Sequence, residues 1–209
     1  EGLACRWQMA LVWGNHDHER PAHHAAIART LERAGSWVLT NRRARLSTPV
    51  GDVELIGVDT PDLGYDRLAE ATTRPPAVVA RWDDPARRWA VEQEGALRPT
   101  KSEGHLSSGA ADEGAIRVVA AHTYHVLQHA PAALEDALVL VGDTHGGQVD
   151  LPLLGPVWAR WVHRHRYVRG LYRVGSSWLY VNRGLGTIGV PLRFRCPPEV
   201  TVVDLVGEE

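Results

Sequence analysis

The sequence predicts an α/β fold, and three observations support this prediction. The chain has 209 residues, of which 44% are hydrophobic, enough for one globular domain with a sizeable core. Short apolar runs that end at polar or glycine-containing turns are typical of buried strands, and they lie at residues 9–13, 116–121 and 137–141. Apolar residues also recur on a helical period over residues 21–34.

The first half of the chain alternates helix and strand signals. The helix predicted at residues 21–34 begins at Pro21, which suits a first turn, and ends at Gly35. Three short strands are predicted at residues 36–39, 44–47 and 53–58. A hairpin turn at residues 49–52 joins the last two of them, and a short helix is predicted at residues 65–71.

We expect residues 1–209 to form a single domain. Within it, residues 73–115 differ in composition from the rest of the chain. They are rich in proline, glycine, serine and charged residues. A helix is predicted at residues 84–95, and the remainder is predicted to be a flexible insertion. Loops of this length are usually functional or disordered, and the composition favours disorder over a substrate lid.

The C-terminal part contains a basic aromatic segment and a predicted hairpin. Residues 157–169 interleave Trp158, Trp161 and Tyr167 with arginine and histidine, which suits a lipid–water interface or an anionic substrate. The alternative is a solvated helix face with its tryptophans packed inward. The last elements are a hairpin and a final strand, predicted at residues 171–181 and 200–205.

The ends of the predicted strands carry the residues best suited to chemistry. Gly14-Asn15-His16-Asp17 follows the first apolar run and can supply a metal ligand, a proton donor and an orienting partner, although an ordinary Asx turn would also use these residues. His122 follows the second run, and Gly142-Asp143-Thr144-His145-Gly146-Gly147-Gln148 follows the third. Open α/β sheets carry their chemistry at such strand ends, so we expect Asn15, His122 and His145 to face one pocket.

These three motifs, in this order, resemble those of the calcineurin-like metallophosphoesterase family. The tail from Gly170 to Val200 is similar to a bacterial branch that includes phosphodiesterases acting on UDP-2,3-diacylglucosamine. The resemblance covers nearly the whole chain apart from residues 73–115. It implies a four-layer α-β-β-α sandwich, here lacking its first strands, and two divalent metal ions, commonly Mn²⁺, Fe or Zn²⁺.

The resemblance also implies the metal ligands. Asn15 and His122 would bind the second metal ion, and His145 would bind the first. Asp143 stands where the family usually has a metal-binding histidine. A carboxylate there can ligate Mn²⁺ or Mg²⁺, and the alternative is that Asp143 only accepts hydrogen bonds from the glycine-rich turn.

The remaining site residues implied by the resemblance act on the substrate. His16, helped by Asp17, would protonate the leaving oxygen or stabilise the transition state. His18 and Arg183 are candidate substrate-binding residues. Two cations in such a site clamp the phosphoryl oxygens and convert a bridging water into hydroxide near neutral pH.

The first two metal-binding motifs of the family, Asp-x-His and Gly-Asp-x-x-Asp, precede Gly-Asn-His-Asp, but residues 1–13 contain no aspartate and no histidine. We therefore expect this sequence to be an N-terminally truncated piece that is inactive alone. Loss of the first strands would leave a sheet edge and an apolar face uncovered.

Net charge and cysteine content limit the classes of partner and the cellular compartment that the sequence allows. The formal net charge of −2 predicts no general affinity for nucleic acid. Cys5 and Cys196 are far apart and form no Cys-x-x-Cys pair, which fits a reducing interior. No apolar run reaches the length of a transmembrane helix. We expect a cytoplasmic protein with peripheral contact at the inner face of the bacterial membrane.

The sequence thus favours a metal-dependent phosphoester hydrolase, either a phosphodiesterase or a pyrophosphatase, whose partner is a phosphorylated small molecule or a lipid-linked or nucleotide-sugar substrate. The alternative is a catalytically inactive fragment that binds metal weakly or serves as a scaffold. A serine or cysteine hydrolase is not supported, because the chain has no Gly-x-Ser-x-Gly motif.

Overall fold

A computed structural model describes residues 9–49, 51–73, 76–83, 88–94, 114–129, 134–157, 159–160 and 163–206. Within these ranges the chain forms ten strands and three α-helices. The strands are Ala10–Leu11 (β1), Trp37–Val38 (β2), Arg42–Thr48 (β3), Gly51–Gly57 (β4), Val78–Asp83 (β5), Arg88–Glu94 (β6), Ile116–Ala120 (β7), Ala137–Val141 (β8), Gly170–Val174 (β9) and Ser177–Val181 (β10). The helices are Pro21–Arg33 (α1), Leu68–Thr73 (α2) and Val126–His129 (α3).

Eight strands form one mixed sheet in the order β6-β5-β3-β4-β7-β8-β10-β9. Its four central strands, β4, β7, β8 and β10, are parallel to one another, so their carboxyl ends lie at the same edge. Strands β1 and β2 form a separate two-stranded parallel sheet. The α/β prediction is therefore confirmed, with helices packed beside a central multi-strand sheet.

The main core lies around β7, β8 and β10. Val119, Val139, Leu179 and Val181 are fully buried there, which explains why these strands read as nearly continuous apolar runs. Helix α2 contributes to the same cluster through Leu68 and Ala71. A smaller apolar cluster around Trp37, Leu39 and Val78 joins β2 to β3 and β5.

Most predicted elements of the described residues are present. Helix α1 and strands β7 and β8 lie where the sequence predicts them, and the C-terminal hairpin is β9 paired with β10. The helix predicted at residues 65–71 begins three residues later, at Leu68. Among the described residues, no helix is long and apolar enough to cross a bilayer.

Two element predictions are wrong. Residues 88–94, expected to be helical, form strand β6, which pairs with β5 inside the segment predicted as a flexible insertion. Residues 200–205, expected to form a final strand, have no regular secondary structure. The rest of the insertion at residues 84–87 and 95–113 lies outside the described residues, as do Cys5, Trp158 and Trp161.

Candidate metal centre

The turn after β1 is built by its own backbone and one carboxylate. Gly14 N donates to Asp17 Oδ2 at 2.8 Å, and Asp17 N donates to Gly14 O at 3.2 Å. This reciprocal pair begins a 3-10 turn over Asn15–Glu19 and places Asn15 at its first position. Asp17, predicted to assist catalysis, is therefore placed by the structure as the residue that shapes this turn.

The turn is fixed to the body of the protein through Trp13, which is 4% exposed. Its indole Nε1 donates to the Thr40 hydroxyl at 2.8 Å. Its carbonyl oxygen accepts a hydrogen bond from the Thr60 hydroxyl at 3.2 Å. The segment between β2 and β3 and the loop after β4 thus both hold the start of the turn in place.

Three of the predicted metal ligands meet at one point. His122 Nε2 lies 3.1 Å from Asn15 Oδ1 and 3.1 Å from Asp143 Oδ1. The three residues follow β1, β7 and β8, so the meeting point lies at the carboxyl ends of strands from both sheets. The structure thus brings together Asn15 and His122, two of the three residues expected to face one pocket, and adds Asp143; their role as metal ligands stays a prediction.

The electrostatics of Asp143 suit a metal-binding carboxylate. Burial acts to raise the pKa of Asp143, but the hydrogen bond from His122 and the charges of His122, His165 and His145 outweigh it and lower the pKa below its usual range. Asp143 therefore remains ionised at neutral pH. An ionised carboxylate is the form that ligates a cation.

The donor set fits a divalent cation. An amide oxygen, an imidazole nitrogen and a carboxylate oxygen are the ligand types that suit Mn²⁺ or Mg²⁺. Ligands about 2.1 Å from an octahedral ion stand roughly 3 Å apart, which is close to both 3.1 Å separations around His122 Nε2. Among the described residues, no group of three or more His, Cys, Asp or Glu is arranged to hold an ion, so these three would supply only part of a coordination shell.

His145 lies beside this group and is held by the loop after β10. Its Nδ1 is 3.3 Å from Gly186 O, and its own carbonyl accepts a hydrogen bond from Arg193 Nη1 at 3.0 Å. His145 also interacts electrostatically with Asp143. Its assignment to the first metal ion stays a prediction.

His16 faces solvent. Its side chain is 63% exposed, and its Nδ1 lies 2.6 Å from Glu19 Oε1. Its backbone N–H donates to Asn15 Oδ1 at 3.0 Å, so the predicted acid and the predicted ligand are joined directly. An accessible imidazole next to the candidate metal ligand Asn15 is compatible with proton donation to a leaving group, and that role stays a prediction.

The two candidate substrate-binding residues are both paired with carboxylates. His18 Nε2 lies 2.7 Å from Asp59 Oδ1, with both side chains largely buried, and the His18 ring stacks on Tyr65 at 4.5 Å between centroids. Arg183 Nε lies 3.0 Å from Glu199 Oε2. The structure thus places His18 as an anchor of the turn, and its contact with substrate stays a prediction.

Sequence reasoning missed three residues near the centre. Asp59 follows β4 and holds His18, and the strand-end rule that identified His122 could have identified it. His165 interacts electrostatically with Asp143, and Tyr124 contacts His165, with 3.5 Å between His165 Nδ1 and Tyr124 Oη; burial lowers the pKa of His165. No sequence signal pointed to His165, because it belongs to an irregular segment far from any strand end.

The chain is similar to several bacterial proteins named metallophosphoesterase or phosphodiesterase. The chain is 33% identical to the phosphodiesterase YaeI of Escherichia coli over 200 residues, covering 93% of this chain and 57% of YaeI. It is 48% identical to the uncharacterised metallophosphoesterase YkuE of Bacillus subtilis over 68 residues, which are 32% of this chain and 23% of YkuE. It is 25% identical to the uncharacterised metallophosphoesterase YkoQ of Bacillus subtilis over 209 residues, covering 92% of this chain and 58% of YkoQ.

The chain thus spans little more than half the length of YaeI and YkoQ. No protein-family model matches it. No solved structure matches it either.

Proposed function

We propose that this chain, which belongs to the calcineurin-like metallophosphoesterase family, is part of a metal-dependent phosphoester hydrolase that cleaves a phosphodiester or pyrophosphate. The observation that carries the proposal is the meeting of Asn15, His122 and Asp143 at one point. The likeness to a phosphodiesterase over most of the chain supports it. The substrate class proposed is a nucleotide-sugar or lipid-linked phosphate.

Each group of the chain has a distinct part in this proposal. Asn15, His122 and Asp143 would hold one divalent ion, and His145 would contribute to the second. When bound, such ions neutralise charge on the phosphoryl oxygens and lower the pKa of water. His16 would deliver a proton to the leaving oxygen from the solvent side, because its ring is exposed and lies next to Asn15.

The test is an assay of a bis-aryl phosphate and a mono-aryl phosphate with added Mn²⁺, using the chain together with any native sequence that precedes it. We expect metal-dependent turnover of the diester. His122→Ala should lower kcat/KM by at least about 100-fold, because it removes the atom that both oxygens approach. Diester turnover that is unchanged in His122→Ala, or that needs no divalent ion, would contradict the proposal.

The second candidate is a metal-binding or scaffold domain without activity. It is favoured by one observation: the described residues offer only an incomplete coordination shell. Elemental analysis of the purified chain separates the two functions. Two tightly held ions per chain would exclude the scaffold role, whereas an ion-free chain with no turnover would support it.

A further inference from the structure

Two segments near the metal centre expose apolar side chains. In the turn at residues 151–155, Leu153 is fully exposed and Leu154 is 59% exposed. In the loop at residues 185–194, Val190 is 66% exposed and Leu192 is 54% exposed. Contiguous exposed apolar surface of this kind marks an interaction site, since single-chain soluble proteins rarely leave it uncovered.

The two segments form one surface because Gln148 and Asp150 join them. Gln148 Nε2 donates to Ile188 O at 3.0 Å and to Val190 O at 2.9 Å, and Asp150 N donates to Phe194 O at 2.9 Å. The turn follows directly after Asp150. We call the joint surface the apolar rim, and its members are Leu151, Leu153, Leu154, Ile188, Val190 and Leu192.

The apolar rim borders the metal centre and lies in a strongly basic part of the chain. His145 Nδ1 approaches Gly186 O, in the second segment of the rim. Residues 151–198 contain eight arginines and no acidic residue, so all 25 aspartates and glutamates lie elsewhere. Five of these arginines are exposed: Arg160, Arg164, Arg166, Arg173 and Arg195.

We propose that the apolar rim docks on a lipid bilayer that contains anionic lipids. Interfacial binding requires exposed apolar side chains that enter the boundary of the acyl chains and basic side chains that meet anionic headgroups. The narrow turn closed by the Leu151–Gly155 bridge presents apolar side chains, and the exposed arginines of the same stretch of chain supply the basic side chains. A bilayer fits better than an apolar protein partner, because the whole basic stretch lacks acidic residues.

Docking would hold the metal centre close to phosphate groups at the membrane surface, which extends the proposed function. Membrane docking is measured without turnover, so a chain that does not bind vesicles would leave the hydrolase proposal standing. Equally, a chain without phosphodiesterase activity would leave the docking proposal standing. The apolar rim lies outside the basic aromatic segment at residues 157–169, but Arg160, Arg164 and Arg166 belong to that segment, so the proposal adds an apolar surface to the segment from which the sequence predicts membrane contact.

The test is co-sedimentation of the purified chain with vesicles of phosphatidylcholine, with and without phosphatidylglycerol. We expect the partition coefficient to rise with phosphatidylglycerol content and to fall as ionic strength increases, because the arginines act through screened charge. Arg160→Gln with Arg164→Gln should remove most of the preference for phosphatidylglycerol. Equal partitioning onto both vesicle types would overturn the proposal.

A second set of variants tests the contribution of the exposed leucines to membrane binding. Leu153→Asn with Leu154→Asn should lower the partition coefficient about tenfold or more, since two leucines lose their place in the interface. Leu63→Asn is the matched control, because Leu63 is 48% exposed in the turn after β4, outside the rim. All variants change exposed side chains, so we expect unchanged far-UV circular dichroism.

Equal binding by Leu153→Asn/Leu154→Asn and the parent chain would reject the apolar rim as the docking surface. Analytical ultracentrifugation without lipid tests whether a second copy of this chain covers the apolar rim instead. A dimer that the same double variant dissociates would assign the surface to a second copy of this chain and would also overturn the proposal.

Discussion

His122 occupies its position because residue 14 has no side chain. A Cβ on Gly14 would lie 3.0 Å from His122 Cε1 and 3.1 Å from Nδ1, closer than such contacts normally come. The φ of −99° at Gly14 is open to alanine, so the steric effect on the imidazole is isolated from backbone strain. The glycine therefore allows the approach of His122 Nε2 to Asn15.

Gly14→Ala should push the His122 ring away from Asn15 and weaken Mn²⁺ binding roughly tenfold, the scale of loss seen when a ligand's support is disturbed. Titration calorimetry with Mn²⁺ measures this directly. Gly142→Ala is the matched control, because a Cβ on Gly142 meets nothing within 4 Å. Equal affinities of the two variants would show that Gly14 does not position His122.

His24 links the stability of the turn to pH. Its ring packs 3.9 Å from the Trp13 ring, and burial, followed by the nearby charge of His18, lowers its pKa below the ordinary value of 6.5. Because the folded pKa is the lower one, the unfolded chain takes up a proton first as the pH falls. The contribution of neutral His24 to the free energy of unfolding is therefore complete above about pH 6.5, and it is lost as the pH falls through the pKa of His24 in the folded protein.

We expect the free energy of unfolding to decrease below pH 6.5 in the parent chain and to decrease less in His24→Gln. Urea unfolding followed by circular dichroism at several pH values measures the difference. His165 has the same direction of shift, so a residual slope should remain in the variant. Identical slopes for the two proteins would contradict this role of His24.

At the scale of single elements, strand ends were the most informative part of the sequence. Strand β8 is apolar throughout, and Arg117 is the one charged residue of β7, so the sequence shows where both strands end. The polar residues that follow them lie at the edge of the sheet. The strand-end rule grouped His122 and His145 with Asn15. The structure places His122 and Asp143 beside Asn15. The same rule applies to β4 and Asp59, but the sequence around Asp59 is also typical of an ordinary loop.

The two wrong elements have one physical cause. Strand β6 is stabilised by its pairing with β5, and the sequence of residues 88–94 alone does not reveal this partner. Residues 200–205 show the reverse case, since β-branched residues there have no strand beside them in the described structure and stay irregular. A β-strand is a property of a pair, so local preference decides neither case.

At the scale of the whole molecule, the sheet order assembles the site from distant segments. β8 pairs with β10 and β7 pairs with β4, although these partners are about 40 or more residues apart in sequence. The sequence identified the strands and the residues at their ends. It did not contain the order of the strands, because that order depends on which apolar faces pack together in three dimensions.

The contact between the two sheets depends on Gly57, at the end of β4. A Cβ there would lie 2.1 Å from Leu39 O and 2.4 Å from Leu39 Cβ, and Leu39 is 1% exposed directly after β2. Gly57→Ala should therefore lower the free energy of unfolding by about 1–3 kcal/mol, the usual cost of overpacking a core. Chemical denaturation measures this loss, and Gly142→Ala, with open space around its Cβ, should change stability little or increase it slightly. If Gly57→Ala were as stable as Gly142→Ala, the two sheets would not be in the close contact that places β1 and the turn after it beside His122.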